Sequence, residues 1–124
     1  MLEIRPMTKE DLATVLVIEA DLFPIDAWTK ELFLGELAEV SISRDVSVAV
    51  LDSQIVGYAS FRYVGKQGDV NTVAVSKDQQ GNGFGTALMD WLESQATLRN
   101  VREIFLEVDL TLFYRKKIMR NQYF

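Results

Sequence analysis

The stretch that most constrains this chain runs from the β-branched segment Val70–Val75 through Gly81-Asn82-Gly83-Phe84-Gly85 into an apolar stripe. Phe84, Ala87, Leu88, Trp91 and Leu92 recur at i, i+3, i+4, i+7 and i+8, the spacing of a helix packed on a sheet. A strand must therefore pass into a helix through glycines. Such a junction lets backbone N–H groups and the positive end of a helix dipole face an anion without any lysine. Glycines also serve tight turns for steric reasons alone, so the loop by itself leaves both readings open. A P-loop is excluded, because no Lys precedes Thr86. A dinucleotide fingerprint is excluded too: Gly81, Gly83 and Gly85 have the wrong spacing and follow an antiparallel meander.

The rest of the chain supplies that meander. Leu2 to Pro6 reads as a first strand, and Thr8-Lys9-Glu10-Asp11 places a hydroxyl cap and acids ahead of a helix reaching about Leu22. Phe23-Pro24-Ile25-Asp26 breaks it. Thr29 then caps a second helix with Leu32, Phe33 and Leu37 on one face. Val46–Leu51, Ile55–Val64 and Val70–Val75 read as successive strands joined by short turns, and Arg102–Val108 as a later strand reached through the helix. Trp91 is expected in the core, with Asp90 and Glu93 on the helix's solvated face. No repeat or linker divides the sequence, so residues 1–124 are expected to form one α+β domain.

Composition narrows the chemistry. Among 124 residues there is no Cys and no His, which removes disulfides, thiolate nucleophiles, Ser-His-Asp triads and imidazole metal ligands. No carboxylate cluster suggests a metal site, so none is expected. The net charge of −5 argues against direct nucleic-acid or anionic-membrane binding. Residues 1–50 carry ten acids against four bases, a balance that suits either a basic partner or an ordinary solvated surface. No apolar run approaches the ~20 residues of a membrane span and Met1–Arg5 lacks a signal-peptide layout, so a cytoplasmic location is expected. The oligomeric state is not readable.

Gln80-x-x-Gly83-x-Gly85 resembles the Gln/Arg-x-x-Gly-x-Gly/Ala signature of the GCN5-related N-acetyltransferase superfamily. The resemblance covers nearly the whole chain and implies that family's fold: a mixed, mostly antiparallel twisted sheet flanked by helices. It implies acetyl-coenzyme A as the donor, with Gln80, Gly81, Asn82, Gly83, Phe84, Gly85 and Thr86 around the pyrophosphate and Val73, Ala74 and Val75 along the pantetheine arm. Asp26-Ala27-Trp28-Thr29-Lys30-Glu31-Leu32-Phe33, ending in Glu36-Leu37, is similar to a segment of RimI-type enzymes, with Ala27 where Pro is usual. Ile104-Phe105-Leu106-Glu107-Val108 is similar to their Leu-Glu-Val strand. These enzymes acetylate the N-terminal α-amine of a ribosomal protein, so the resemblance implies such a basic protein as acceptor. A small amine or a Lys side chain is the alternative acceptor, and a coenzyme-A-binding domain without catalysis is the alternative function.

The resemblance gives Glu107 the role of proton acceptor and Tyr114 that of proton donor to the departing thiolate. It places Trp28 and Phe33 beside the acceptor groove, against the alternative that both simply pack in the core. Around Tyr114 the pattern departs from the family. Ile118-Met119 stands where Gly-Phe is usual, and the Asn and Ala ahead of the Tyr are absent. Arg120-Asn121-Gln122-Tyr123-Phe124 also resembles a segment lying beyond that Gly-Phe, so two alignments compete. In either, the sequence stops before the family's last strand, and a shortened C-terminal end is expected. A natural deletion, a partner chain completing the sheet, or residues outside this sequence would each account for it.

Overall fold

Two-residue turns set the topology of the first strands. Asp52 and Ser53 both take positive φ, 49° and 69°, the primed turn that matches strand twist, and so join β2 (Arg44–Leu51) to β3 (Gln54–Val64). Gly65, at φ 59°, opens the turn to β4 (Gln67–Val75). The structure, a computed structural model, describes residues 1–106 and 117–120. Its other elements are β1 (Leu2–Pro6), α1 (Leu12–Leu22), α2 (Lys30–Ala38), α3 (Phe84–Leu98), β5 (Glu103–Leu106) and β6 (Lys117–Arg120). The strands form one sheet in the order β1-β2-β3-β4-β5-β6. Every neighbouring pair is antiparallel except β4 and β5, which run parallel because α3 carries the chain back across the sheet. This is the expected mixed α+β architecture. Of the strand expected over Arg102–Val108, Glu103–Leu106 is observed, and Glu107 and Val108 lie outside the described residues.

Helices cover both faces of the sheet. On one, α3 packs Leu88, Leu92 and Ala96, all fully buried, against Ala49, Ala59, Phe61, Val73 and Val75. On the other, α1 and α2 bring Leu12, Val15, Ile18 and Phe33 onto Val46, Val48, Tyr58 and Ala74. Covered on both faces, β3 is buried continuously from Val56 to Phe61, and each large apolar side chain buried there contributes roughly 1.5–3 kcal/mol. Close approach at the centre requires Gly57. A Cβ there would stand 2.6 Å from the Ala74 carbonyl oxygen and 3.2 Å from Leu88 Cδ1.

Local signals act as expected at most helix ends. Thr29 Oγ1 accepts the Leu32 N–H at 3.2 Å and starts α2. Thr8 instead opens a single 3-10 turn ahead of α1. There the Asp11 carboxylate accepts the Thr8 N–H at 2.8 Å and two Arg5 N–H groups at 2.9 Å each. Asn100, at φ 59°, ends α3, with the Val101 N–H returning to the Ala96 carbonyl at 2.9 Å and Asn100 N–H to Thr97 at 3.2 Å. Two expectations on packing are corrected. Leu32 is 54% exposed while its neighbour Phe33 is fully buried, since adjacent helical residues point about 100° apart and only one can face the core. Trp91 is half-buried at the flank of the α3 core instead of inside it.

Candidate functional site

The end of β4 leads into the glycine loop under tight local control. Ser76 N–H donates to the Val56 carbonyl at 2.8 Å, and the Gln80 amide donates back to the Val75 carbonyl at 3.0 Å. Gln80 thus ties the loop to the strand it left. Asn82 likewise turns its side-chain amide onto the Gln79 carbonyl at 3.2 Å. Gly81 and Gly83 take φ of 83° and 81°, in the left-handed region that a Cβ disfavours. Nothing lies within 4 Å of where either Cβ would stand, so conformation and not crowding calls for glycine at both places. A Cβ at Gly85 would make only ordinary contact with Val75, at 3.9 Å.

Gly83 is the N-cap of α3, and no side chain caps the helix or places an acid in its first turn. The amides that begin an α-helix have no partner within it, and the helix dipole adds positive potential at the same place. They border a cleft of about 520 Å³. Nine of the ten residues expected at the cofactor line it: Val73, Ala74, Val75, Gln80, Gly81, Gly83, Phe84, Gly85 and Thr86. The tenth, Asn82, is absent from the lining. Leu22 and Phe23, at the end of α1, form part of the wall, as do Met89, Asp90 and Glu93 on α3. An elongated ligand with an apolar arm and an anionic group matches this combination of apolar strand and open helix end.

Glu93 corrects the sequence reading. It is 8% exposed and lines the cleft, whereas Asp90 is exposed as expected. Burial, reinforced by the nearby Asp90 charge, pushes its carboxyl above the ordinary range. A raised carboxyl pKa in the folded state means that ionisation costs stability, and the loss grows as pH rises through that pKa. Glu93→Gln is therefore expected to unfold at a higher temperature than the parent at neutral pH. The difference should vanish once the pH falls well below the ordinary Glu value of about 4.3, where the parent carboxyl is protonated in both states. Thermal unfolding followed across pH checks this, and a variant less stable at neutral pH would contradict it.

Behind the α1 wall, Glu19 is buried at 3% exposure. Its carboxylate accepts the Tyr58 hydroxyl at 2.5 Å and the Trp28 backbone N–H at 2.8 Å. Burial raises the Tyr58 hydroxyl pKa, and the carboxylate beside it pushes further the same way, so this hydroxyl stays a donor. Trp28 is half-buried, its ring centroid 5.2 Å from that of Phe33. Phe33 meets Tyr58 edge-on at 5.8 Å and is fully buried, a core ring packed against Trp28. Glu107 and Tyr114 lie outside the described residues. The parallel register between β4 and β5 is described as far as Val70↔Leu106. Among the described residues no group of His, Cys, Asp and Glu could hold a metal ion, and no helix is long and apolar enough to cross a membrane.

A mixed sheet with one parallel step, and an uncapped helix end beside a cleft, defines an α+β domain with a place for an anionic ligand. A family model described as the acetyltransferase (GNAT) family matches residues 15–116. The chain belongs to this family, and with it to the acetyl-coenzyme-A-dependent N-acetyltransferases. Solved structures agree on the fold. The PaiA N-acetyltransferase of Thermoplasma acidophilum, solved with coenzyme A, superposes with a TM-score of 0.80 at 17% identity, over 92% of this chain and 87% of that one. Ard1 of Thermoplasma volcanium gives 0.78 at 25% identity, over 91% and 78%. The ribosomal-protein-S18-alanine N-acetyltransferase of Escherichia coli gives 0.74 at 22% identity, over 87% and 67%. No curated protein matches the sequence.

Proposed function

We propose that this chain moves an acetyl group from acetyl-coenzyme A to the N-terminal α-amine of a protein, with a basic ribosomal protein as the acceptor and the cytoplasm as its location. The observation that carries the donor side is the open N-terminus of α3 beside Gly81 and Gly83, at the end of an apolar cleft. Amides of residues 83–86 hold the pyrophosphate, Gln80 and Asn82 brace the loop, and Val73–Val75 follow the pantetheine arm. The acceptor side rests on the likeness of Asp26–Leu37 and Ile104–Val108 to RimI-type segments, and on the structural similarity to a ribosomal-protein-alanine acetyltransferase.

In the transfer, the neutral amine attacks the thioester carbonyl, a C–N bond forms and the C–S bond breaks. Glu107 takes the amine proton through water, and Tyr114 protonates the departing thiolate. An α-amine is easier to deprotonate than Lys by about 3 kcal/mol, so a modest carboxylate base suffices. In this reading transfer is direct, and with no Cys in the sequence an acyl-enzyme through sulfur is excluded. Glu107→Gln is expected to lower turnover about a hundredfold while leaving coenzyme A affinity unchanged, as steady-state kinetics and calorimetry would show. Normal turnover would remove Glu107 from the mechanism. In competition, a peptide beginning with Ala is expected to outcompete small free amines; the reverse would assign a small-molecule acceptor.

A further inference from the structure

Glu36, in the last turn of α2, holds three consecutive strands with one carboxylate. Oε2 accepts Arg44 Nε–H of β2 at 2.8 Å, and Oε1 accepts the Ser60 hydroxyl of β3 at 2.6 Å and the Asn71 amide of β4 at 2.9 Å. Its side chain is 13% exposed. Burial alone would raise its carboxyl, but the hydrogen bonds from Ser60, Arg44 and Asn71 outweigh burial and hold it below the ordinary range. The carboxylate is therefore charged at neutral pH.

The strand contact falls at an irregularity. Ser60 pairs with Thr72 and Phe61 with Val70, which leaves Asn71 with no partner residue in β3. Such a bulge interrupts the ladder locally and re-aims a side chain, and here the re-aimed Asn71 amide meets Glu36. Asn71 lies four residues before Val75, about 13 Å up β4 at roughly 3.3 Å per residue. In the proposed function the pantetheine arm follows Val73–Val75, and Asn71 lies two residues further up the same strand. Asn71 also directly follows Val70, the last described partner of β5.

We propose that Glu36 is a positioning residue: by clamping the Asn71 bulge to α2, it sets the acceptor-side helix in fixed register with the strand that carries the acyl end of the donor. This rests on the acetyl-transfer reading above. Orientation of two reactants is steep in its effect, and a displacement near 1 Å can cost about a hundredfold in rate.

Asn71 is exposed, so Asn71→Ala releases the clamp with little threat to the core. In the full-length chain this variant is expected to lower kcat about tenfold, with KM for an Ala-initiated peptide changing less and coenzyme A affinity staying within about twofold. Hydrogen exchange of residues 30–38 and 67–75 should rise together in Asn71→Ala and in Glu36→Gln. Unchanged exchange in either segment would overturn the clamp. Looser exchange with unchanged kcat would overturn its positioning role, as would a kcat loss matched by an equal loss of cofactor affinity. If the parent chain acetylates no peptide, the acetyl-transfer reading fails, while the exchange comparison still decides whether Glu36 couples α2 to β4.

Discussion

Gly83→Asp is expected to abolish coenzyme A binding while leaving the protein folded. Gly83 is the N-cap of α3 and has open space where a side chain would stand, so an Asp there meets no atom within 4 Å of its Cβ. Its φ of 81° costs an L-residue about 1–2 kcal/mol, less for Asp, which visits this region more readily than most residues. Carboxylates are also favourable beside helix N-termini, so the new side chain interacts with the amides that face the cleft. It thereby competes for the position of the phosphate. Two like charges about 4 Å apart repel by about 4 kcal/mol near a protein surface, before screening by salt. Calorimetry should show affinity weakened at least about a hundredfold, with an unfolding temperature close to the parent's. Gly83→Ala carries the backbone strain without the charge and should bind at an intermediate level. Equal affinity in the parent and the Asp variant would refute the pyrophosphate assignment.

Tyr58→Phe should be the most destabilising of the conservative substitutions considered. Among the described residues the lost hydroxyl is one of two donors to Glu19, which sits at 3% exposure, and its removal leaves a buried carboxylate with the Trp28 N–H as its remaining hydrogen bond there. Breaking a charged hydrogen bond while its partner stays buried costs about 2–4 kcal/mol. For a domain of this size that is a fall in Tm of roughly 10 °C. The two residues act as a pair, so Tyr58→Phe combined with Glu19→Leu should cost clearly less than the sum of the single changes. Chemical denaturation of all four proteins tests the coupling; strictly additive losses would show that the short contact carries no special weight. The same pair fixes Trp28 and the segment after Phe23, so the destabilised variants should bind acceptor more weakly as well.

Signals that depend on neighbours in the chain were legible in the sequence. The alternation in β1, the Thr29 cap, the polar turns and the stripe on α3 each act over a few residues, and each became the element it implies. The glycine loop was legible for the same reason: positive φ at Gly81 and Gly83 is a local demand. What distant neighbours determine was not legible. Glu19 and Tyr58 lie 39 residues apart, and neither has a sequence signal that names the other. Glu93 has the period of a solvated face, yet the α3 surface borders the cleft and buries it. Phe33 and Leu32 have similar hydrophobicity, and only the rotation of α2 decides which meets Tyr58. Glu36 belongs to a motif-like segment, but its hold on β2, β3 and β4 follows from tertiary packing and a bulge that no spacing announces.

The central claim is acetyl transfer to a protein N-terminus, and intact-mass analysis tests it most directly. The chain would be incubated with acetyl-coenzyme A and a ribosomal-protein peptide that begins with Ala and contains an internal Lys. The proposed function predicts a gain of one acetyl group, located on the N-terminal amine by fragmentation. Binding of the cofactor with no acetyl transferred, or acetyl found only on the Lys, would contradict it.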